Sequence, residues 1–401
     1  MDATIKPNLR ALLPVLFSFF VMGFIDIVGT ATSNIKADLN LNNTLAGLLP
    51  NFILIWFLVL SVPFGILTNR IGRKNTIQVS NVITMAAMLI PLPMLLGLME
   101  VNLTMYLVTF ALLGIGNTMI QVTLNPFLTN VSTPEKLARN MTLGQFAKAM
   151  SSLAGPQLVL FAIVCLGNWN YIFTIYAGLT LLSMLWLAAT PIPREEQLDA
   201  GTTTYGSVFS LLKDSFIRSV FFSILLIVGI DVGMNFFIPV IFKEVFQVEY
   251  ASGINTLYFA ARALGAIICA MLLVRYSPKR ILLWAMIAAM AAYAVMMWLA
   301  SLGSPAFGIQ VLFCLLFLPV GFATGNVFAI VFSFALRHLP AKADTISSLL
   351  IMGVAGGGAI TFAMGLISDY AGIVGGMAVL LICMVYILMV AIKTMKNKEI
   401  E

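Results

Sequence analysis

Apolar residues in this chain come in twelve long runs separated by short polar breaks. The runs fall at about 11–33, 45–68, 76–98, 103–127, 141–165, 170–190, 217–242, 252–274, 281–301, 307–336, 346–368 and 372–392. Each is close to the roughly 20 residues that an α-helix needs to cross the hydrocarbon of a bilayer. The pattern therefore predicts an all-α membrane protein of twelve transmembrane helices, with no room for a large soluble domain. The longest polar connection, 191–216, opens Pro191-Ile192-Pro193-Arg194-Glu195-Glu196 and divides the runs six and six. The expected organisation is an N-terminal six-helix half over 1–190, a central loop over 191–216 and a C-terminal six-helix half over 217–401.

Composition agrees. Of 401 residues, 61% are hydrophobic and 9% charged, with mean hydropathy +1.02. Soluble domains carry roughly 25% charged residues. The formal charge of +6 does not point to nucleic acid, because the basic residues sit in short loops where they set topology. With both termini inside, eighteen of the 22 Lys and Arg fall on the inner side and only Lys36 and Lys243 on the outer. That bias places both ends in the cytoplasm and supports an even number of crossings. The first run is uncharged for most of its length and has no small-residue cleavage site, so it reads as a membrane helix rather than a signal peptide. Cys165, Cys269, Cys314 and Cys383 all lie inside apolar runs and read as small core residues, with no disulfide framework implied.

The sequence repeats itself. Gly65-Ile-Leu-Thr-Asn-Arg-Ile-Gly-Arg-Lys74 ends the second run, and Met271-Leu-Leu-Val-Arg-Tyr-Ser-Pro-Lys-Arg280 ends the eighth, 206 residues later. Both put a tight turn and a basic pair directly after an apolar helix. Two parallel halves flanking a site at mid-membrane is a transporter plan. In the first copy, Gly65 allows close helix packing and Gly72 makes the turn. Arg70, Arg73 and Lys74 hold the loop at the surface and can cap helix C-termini. This decapeptide resembles the G-x-L-x-D-R-x-G-R-K loop of the major facilitator superfamily, which implies the major facilitator fold, two pseudo-symmetric six-helix halves, and a gating role for the loop. One departure stands out: Asn69 occupies the position of the family's aspartate, so an ion pair there is expected to become a neutral hydrogen bond and to loosen the gate.

Three further stretches carry a narrower resemblance. They are Gly114-Ile-Gly-Asn-Thr-Met-Ile-Gln-Val-Thr-Leu-Asn-Pro-Phe127, Val228-Gly-Ile-Asp-Val-Gly233, and Gly353-Val-Ala-Gly-Gly-Gly-Ala-Ile-Thr361 followed by Met364-Gly-Leu-Ile-Ser-Asp369. Together they look like the fucose:proton symporter family, which implies inward sugar transport with protons, by alternating access and without a cofactor. The Gly356-Gly357-Gly358 run is not a phosphate loop; it lies in an apolar helix and reads as a place of close packing or bending.

Charges buried in a bilayer cost about 2.5–3.5 kcal/mol each on insertion scales, and those retained are usually functional. Position within the runs marks four: Asp26, Lys148, Asp231 and Arg262. The plainer alternative is that two acids and two bases pair to hold helices together. Asp26 matches an acid that the resemblance assigns to proton coupling. An apolar cavity favours the neutral form of a carboxyl group, which suits a proton carrier. The family's glutamate in the fourth helix is replaced by Gln121, which hydrogen-bonds a hydroxyl but does not titrate. Lys148 is placed to meet either a substrate carboxylate, as in a sugar acid, or Asp26. Arg262 is placed to bind a carboxylate or to anchor Asp231. Planar amides suited to sugar hydroxyls are Asn51, Gln121, Asn125, Gln145, Asn235 and Asn326, with Trp56, Tyr258 and Phe259 as candidate platforms under the ring. For each aromatic, core or lipid packing is the competing reading.

There is no Walker sequence, His338 is the only histidine, and no catalytic or metal-binding cluster is evident. An enzyme and a sensor with a soluble output domain are both disfavoured. The expected protein is a secondary transporter, not an enzyme, that moves a monosaccharide or a sugar derivative such as a sugar acid across the membrane, with the proton as coupling ion and no other cofactor. It is expected to be monomeric, in a bacterial inner membrane, with the lipid bilayer as its surroundings. The alternative is a facilitator-type exporter of amphipathic compounds.

Overall fold

A computed structural model describes residues 9–41, 43–192, 203–248 and 254–396. Among these residues the regular structure is helical. Among the described residues ten stretches are long and apolar enough to cross a membrane. The first run is helical as well: Leu9–Met22 tightens into a 3-10 turn over Gly23–Ile27 and continues as Val28–Asp38. Gly23 is a poor helix former and the β-branched Ile25, Ile27 and Val28 add to the weakness. The stretch Pro340–Lys396 holds two runs, since Gly356–Lys396 kinks at Gly372, where φ is 71°. Twelve spans result, as the pattern predicts.

Proline sets the other departures from simple helices. The third run is expected over 76–98, but its helix Arg73–Leu89 stops short and a single turn, Leu92–Leu95, follows Pro91. The tenth run splits into Phe307–Leu315 and Phe317–His338, since Pro319 cannot donate to the carbonyl four residues back. The central loop falls partly outside the described residues, from 193 to 202. Its described end carries a short helix, Tyr205–Ser210, that hydropathy does not reveal; Thr204 and Ser207 close it with reciprocal hydrogen bonds of 3.1 and 2.8 Å.

The chain packs as two compact units. One comprises Met1–Leu137, Met150–Leu211 and Pro340–Met352; the other comprises Ala138–Ala149, Leu212–Leu339 and Gly353–Glu401. In the first unit, helix Leu103–Phe127 is the centre, flanked by Asn43–Ile71 and Arg73–Leu89. Small residues let them meet: Ser80 donates to the Gly116 carbonyl at 2.8 Å, and a Cβ at Gly116 would lie 2.5 Å from Thr84 Oγ1. Phe24 stacks on Tyr176 with ring centroids 3.8 Å apart. In the second unit, Ser215–Glu244 lies along Gly356–Lys396 and Asn255–Leu272 lies along Phe317–His338. Gly356 is a packing glycine, as expected, since a Cβ there would meet the Leu225 carbonyl at 2.5 Å. The cysteines are free, but they are not uniformly core: Cys269 and Cys383 are buried, Cys314 is intermediate and Cys165 is exposed near the end of its helix.

Helix Ser215–Glu244 begins with a built cap. Asp214 accepts from the backbone N–H groups of Phe216 and Ile217 at 2.8 and 3.1 Å, and His338 Nε2 lies 3.0 Å from its other oxygen. Burial pushes the Asp214 carboxyl up, but the bonds to His338, Ile217 and Phe216 outweigh burial and hold it below the usual carboxylate value. A lowered folded-state value means the cap stabilises fully above the unfolded carboxyl value, near 4, and that this contribution is lost as pH falls through the folded one. Asp214→Ala is expected to cost about 1 kcal/mol. In detergent melts near neutral pH this variant unfolds earlier than the parent, and the difference closes on acidification below about pH 4.

Candidate functional site

In the first unit the break in the first span is tied to the fourth. At the start of the 3-10 turn over Gly23–Ile27, Asn117 donates to the Met22 carbonyl at 2.8 Å. Gln121 donates to Asn117 Oδ1 at 2.7 Å, and Asn125 donates to the Gln121 carbonyl at 2.9 Å. Residues 117, 121 and 125 are one helical turn apart, so they form a single polar stripe on one face. Gln121 and Asn125 are both buried. Their amide nitrogens are therefore committed within this stripe, while Asn125 Oδ1 is buried without a partner. Asp26 lies in the 3-10 turn itself, half-buried. It accepts a short hydrogen bond from Ser152.

The remaining candidates of the first unit divide. Trp56 packs against the fourth helix, where a Cβ at Gly114 would lie 2.7 Å from Trp56 Cδ1; its indole N–H is buried without a partner. The side chain of Asn51 lies outside the described residues. Gln145 and Lys148 are half-buried on helix Leu137–Leu166, in the portion that groups with the second unit, whereas Asp26 groups with the first.

In the second unit the candidates converge. Arg262 Nη1 lies 3.1 Å from Asp231 Oδ2, and the Tyr258 hydroxyl donates to Asp231 Oδ1 at 2.9 Å while contacting Thr324 Oγ1 at 2.8 Å. Both carboxylate oxygens are thus held. Glycines place Arg262: a Cβ at Gly321 would lie 2.9 Å from the Arg262 nitrogen and one at Gly325 would lie 3.0 Å from its carbonyl oxygen. The two helices approach to backbone contact there. Phe259 lies 6.0 Å from the guanidinium carbon. Tyr258 is fully buried; its ring meets Phe317 edge-on at 5.9 Å, so it serves as a bridge to Asp231 rather than as an open platform. Asn235 and Asn326 donate to the Asp231 and Phe322 carbonyls of their own helices at 3.0 and 2.6 Å, leaving their amide oxygens buried without partners.

The 65–74 loop is the third constellation. Gly72 has φ 83°, a conformation that favours glycine, and starts helix Arg73–Leu89. A Cβ at Gly65 would overlap Ser348 Oγ at 1.7 Å, so only glycine admits helix Ala343–Met352 at this distance. Arg70 is exposed. Lys74 donates to the Ala188 and Thr190 carbonyls at 3.2 and 2.8 Å, capping helix Tyr171–Ala189 as expected of a basic residue there. Arg73 goes further than the expected surface anchor. It is buried, and Nη1 caps the end of helix Leu103–Phe127 through Asn130 Oδ1 at 2.6 Å and the Pro126 carbonyl at 3.4 Å. Its Nε pairs with Asp344 Oδ1 at 2.8 Å. Asn69 is neutral, yet the loop has an ion pair after all, with the acid supplied from 271 residues away. At the repeat position 206 residues on, Lys279 is buried too.

Hydropathy could not single out Asn117, Ser152, Thr324 or Asp344. Asn117 has a faint signal, one turn before Gln121 on the same face. Asp344 has another, in the first turn of a helix, where a carboxylate is favoured.

Comparison with known proteins follows from this geometry. The profile of the Major Facilitator Superfamily matches residues 15–362. A relative described as "Uncharacterized transporter YycB", from Bacillus subtilis (strain 168), is 29% identical over 178 residues, which is 43% of this chain and 42% of that one. The matched region thus spans less than half the length of that relative. Among solved structures, the E. coli fucose:proton symporter FucP is similar at TM-score 0.80 and 17% identity, over 98% of this chain and 100% of that one. The proton:xylose symporter XylE is similar at 0.74 and 16%, over 96% and 95%. A bacterial homologue of the iron transporter ferroportin is similar at 0.77 and 13%, over 98% and 100%. At these identities the likeness is one of fold.

Removing one partner of a buried ion pair costs about 3–5 kcal/mol, because the other charge is left uncompensated. Asp231→Asn is therefore expected to lower the melting temperature in detergent sharply. Asp231→Asn combined with Arg262→Gln is expected to recover part of that loss; no recovery would show that the pair is not what holds these helices.

Proposed function

Because this chain belongs to the major facilitator superfamily, we propose that it carries a monosaccharide or a sugar derivative, such as a sugar acid, across the membrane by proton symport and alternating access. It is a transport protein and not an enzyme. The observation that carries the symport reading is the environment of Asp26. Asp231 has a guanidinium opposite it, but Asp26 accepts from a serine hydroxyl. A hydroxyl both donates and accepts, so it satisfies the ionised and the protonated carboxyl alike. That suits a group that must hold and release a proton. Asp26 sits in the 3-10 turn over Gly23–Ile27, whose start Asn117 ties to the fourth span through the Met22 carbonyl.

Gln121 and Asn125 then act mainly as the stripe that positions this turn, with the Asn125 oxygen left over for a substrate hydroxyl. Asn235 and Asn326 offer similar oxygens in the second unit, near the Asp231–Arg262 pair. Gln145 and Lys148 also belong to the second unit, and a lysine at the substrate favours one that carries a carboxylate. FucP and XylE, both sugar:proton symporters by description, support this reading through fold. The protein would work as a monomer in a bacterial inner membrane, with both termini cytoplasmic and no cofactor beyond the proton.

Uptake into proteoliposomes tests the proposal. Labelled fucose, glucose, xylose and a sugar acid are offered with and without an inward proton gradient. Gradient-driven uptake of one of them is expected, with Asp26→Asn abolishing accumulation while leaving exchange of internal for external sugar. If no sugar moves under either condition, the sugar reading fails and export of amphipathic compounds becomes the reading to test.

A further inference from the structure

We infer that Asp231 stands in for a substrate carboxylate: Arg262 is the anion-binding group of a site in the second unit for a hydroxylated monocarboxylate, and Asp231 occupies it while the site is empty. This rests on the transport reading above and narrows its substrate to an acid such as an aldonate or a uronate. The guanidinium is the fixed member of the pair. Its helix, Asn255–Leu272, meets the tenth span backbone to backbone at Gly321 and Gly325, and Arg262 is buried. Asp231 comes from another helix, Ser215–Glu244, and its side chain is 19% exposed against 9% for Arg262. The acid therefore lies on the more open side of the pair. It also has a second hold that does not depend on the arginine, the Tyr258 hydroxyl at 2.9 Å, and Thr324 Oγ1 lies 2.8 Å from that hydroxyl. Its exposed edge and the Tyr258 bond keep Asp231 solvated when another carboxylate takes Arg262. The guanidinium then has a carboxylate opposite it in the empty and in the filled site, and it is a buried charge stripped of its partner that costs most.

The rest of the ligand is read one helical turn along, about 5.4 Å from Asp231. Pro239 has no N–H, so the Asn235 carbonyl four residues back loses its helical partner. Asn255 donates to that carbonyl at 2.9 Å. The Asn235 amide nitrogen is itself committed to the Asp231 carbonyl at 3.0 Å. Both side chains thus have only an oxygen left, and both oxygens are buried without a partner. An amide oxygen takes a donor and nothing else, so a carboxylate cannot satisfy it and a hydroxyl can. A ligand that meets Arg262 at one end and Asn235 and Asn255 a turn away carries a carboxylate followed by hydroxyls. A neutral sugar has no group to replace Asp231 on the arginine, and a simple carboxylate has no donors for the two amides.

Melting of the purified protein in detergent tests the site without transport. Sodium gluconate, sodium glucuronate, sodium acetate and sorbitol are titrated, with sodium chloride matching ionic strength. In the parent, one or both sugar acids are expected to raise the melting temperature, while acetate and sorbitol at the same concentration leave it unchanged. Asp231→Asn removes the internal competitor, so the half-saturating concentration of the acid is expected to fall about tenfold, the scale of one hydrogen bond to a charged group. Arg262→Gln is expected to abolish the response. A purely structural ion pair gives the opposite result for Asp231→Asn, an affinity unchanged or weakened. That result, a parent that responds to sorbitol as it does to the acids, or no response in any variant overturns the assignment. Should Asp231→Asn not survive purification alone, it is purified in gluconate and, separately, in sorbitol. Folded protein from gluconate only supports the site, and loss in both overturns it. A chain that binds the acid but moves none under a proton gradient keeps this site and fails the transport reading. One that accumulates a neutral sugar and melts unchanged in the acids keeps the transport reading and loses this site.

Discussion

Inside a bilayer a charge without a partner is the costliest thing a helix can carry, and matching charges within apolar helices is the constraint that organises this protein. The second unit meets it with Arg262 and Asp231, 3.1 Å apart and braced by Tyr258 and Thr324. The first meets it with Arg73 and Asp344 at 2.8 Å. Such pairs add little net stability, because desolvation offsets attraction, but they punish loss of either member. They therefore specify which helices lie side by side. Asp26 stands apart from both, resting on a hydroxyl, and this contrast is why it is the proposed proton site.

Close backbone approach fixes the helices that carry these pairs. Gly321 and Gly325 bring the tenth span against the backbone of Arg262, and Gly65 brings Ser348 over the second span. Two spans also tighten locally into 3-10 turns, at Gly23–Ile27 and Gly353–Ala355. At the first of them Asn117 donates to the Met22 carbonyl.

The twelve spans were legible because hydropathy over 20 residues depends on composition alone. Gly72 and Lys74 were legible because their roles, a turn and a helix cap, are local. Asp231 and Arg262 stood out as charges in apolar runs, and they pair. What the pattern missed depended on contacts distant in sequence. Arg73 reads as one more basic loop residue until Asp344 arrives beside it, and the neutral Asn69 then makes sense as the partner of an acid carried elsewhere. Tyr258 was a plausible ring platform by type, yet its burial turns it into a bridge. The helix Tyr205–Ser210 escaped notice because capping, not hydropathy, forms it.

The central claim is that Asp26, and not the ion-paired Asp231, takes up the transported proton. Infrared difference spectra of the reconstituted protein across an acid step would follow the carboxyl C=O stretch directly. The account predicts a protonated-carboxyl band in the parent that disappears in Asp26→Asn and persists in Asp231→Asn. A band that survives in Asp26→Asn and vanishes in Asp231→Asn would contradict it and move the proton site to the second unit.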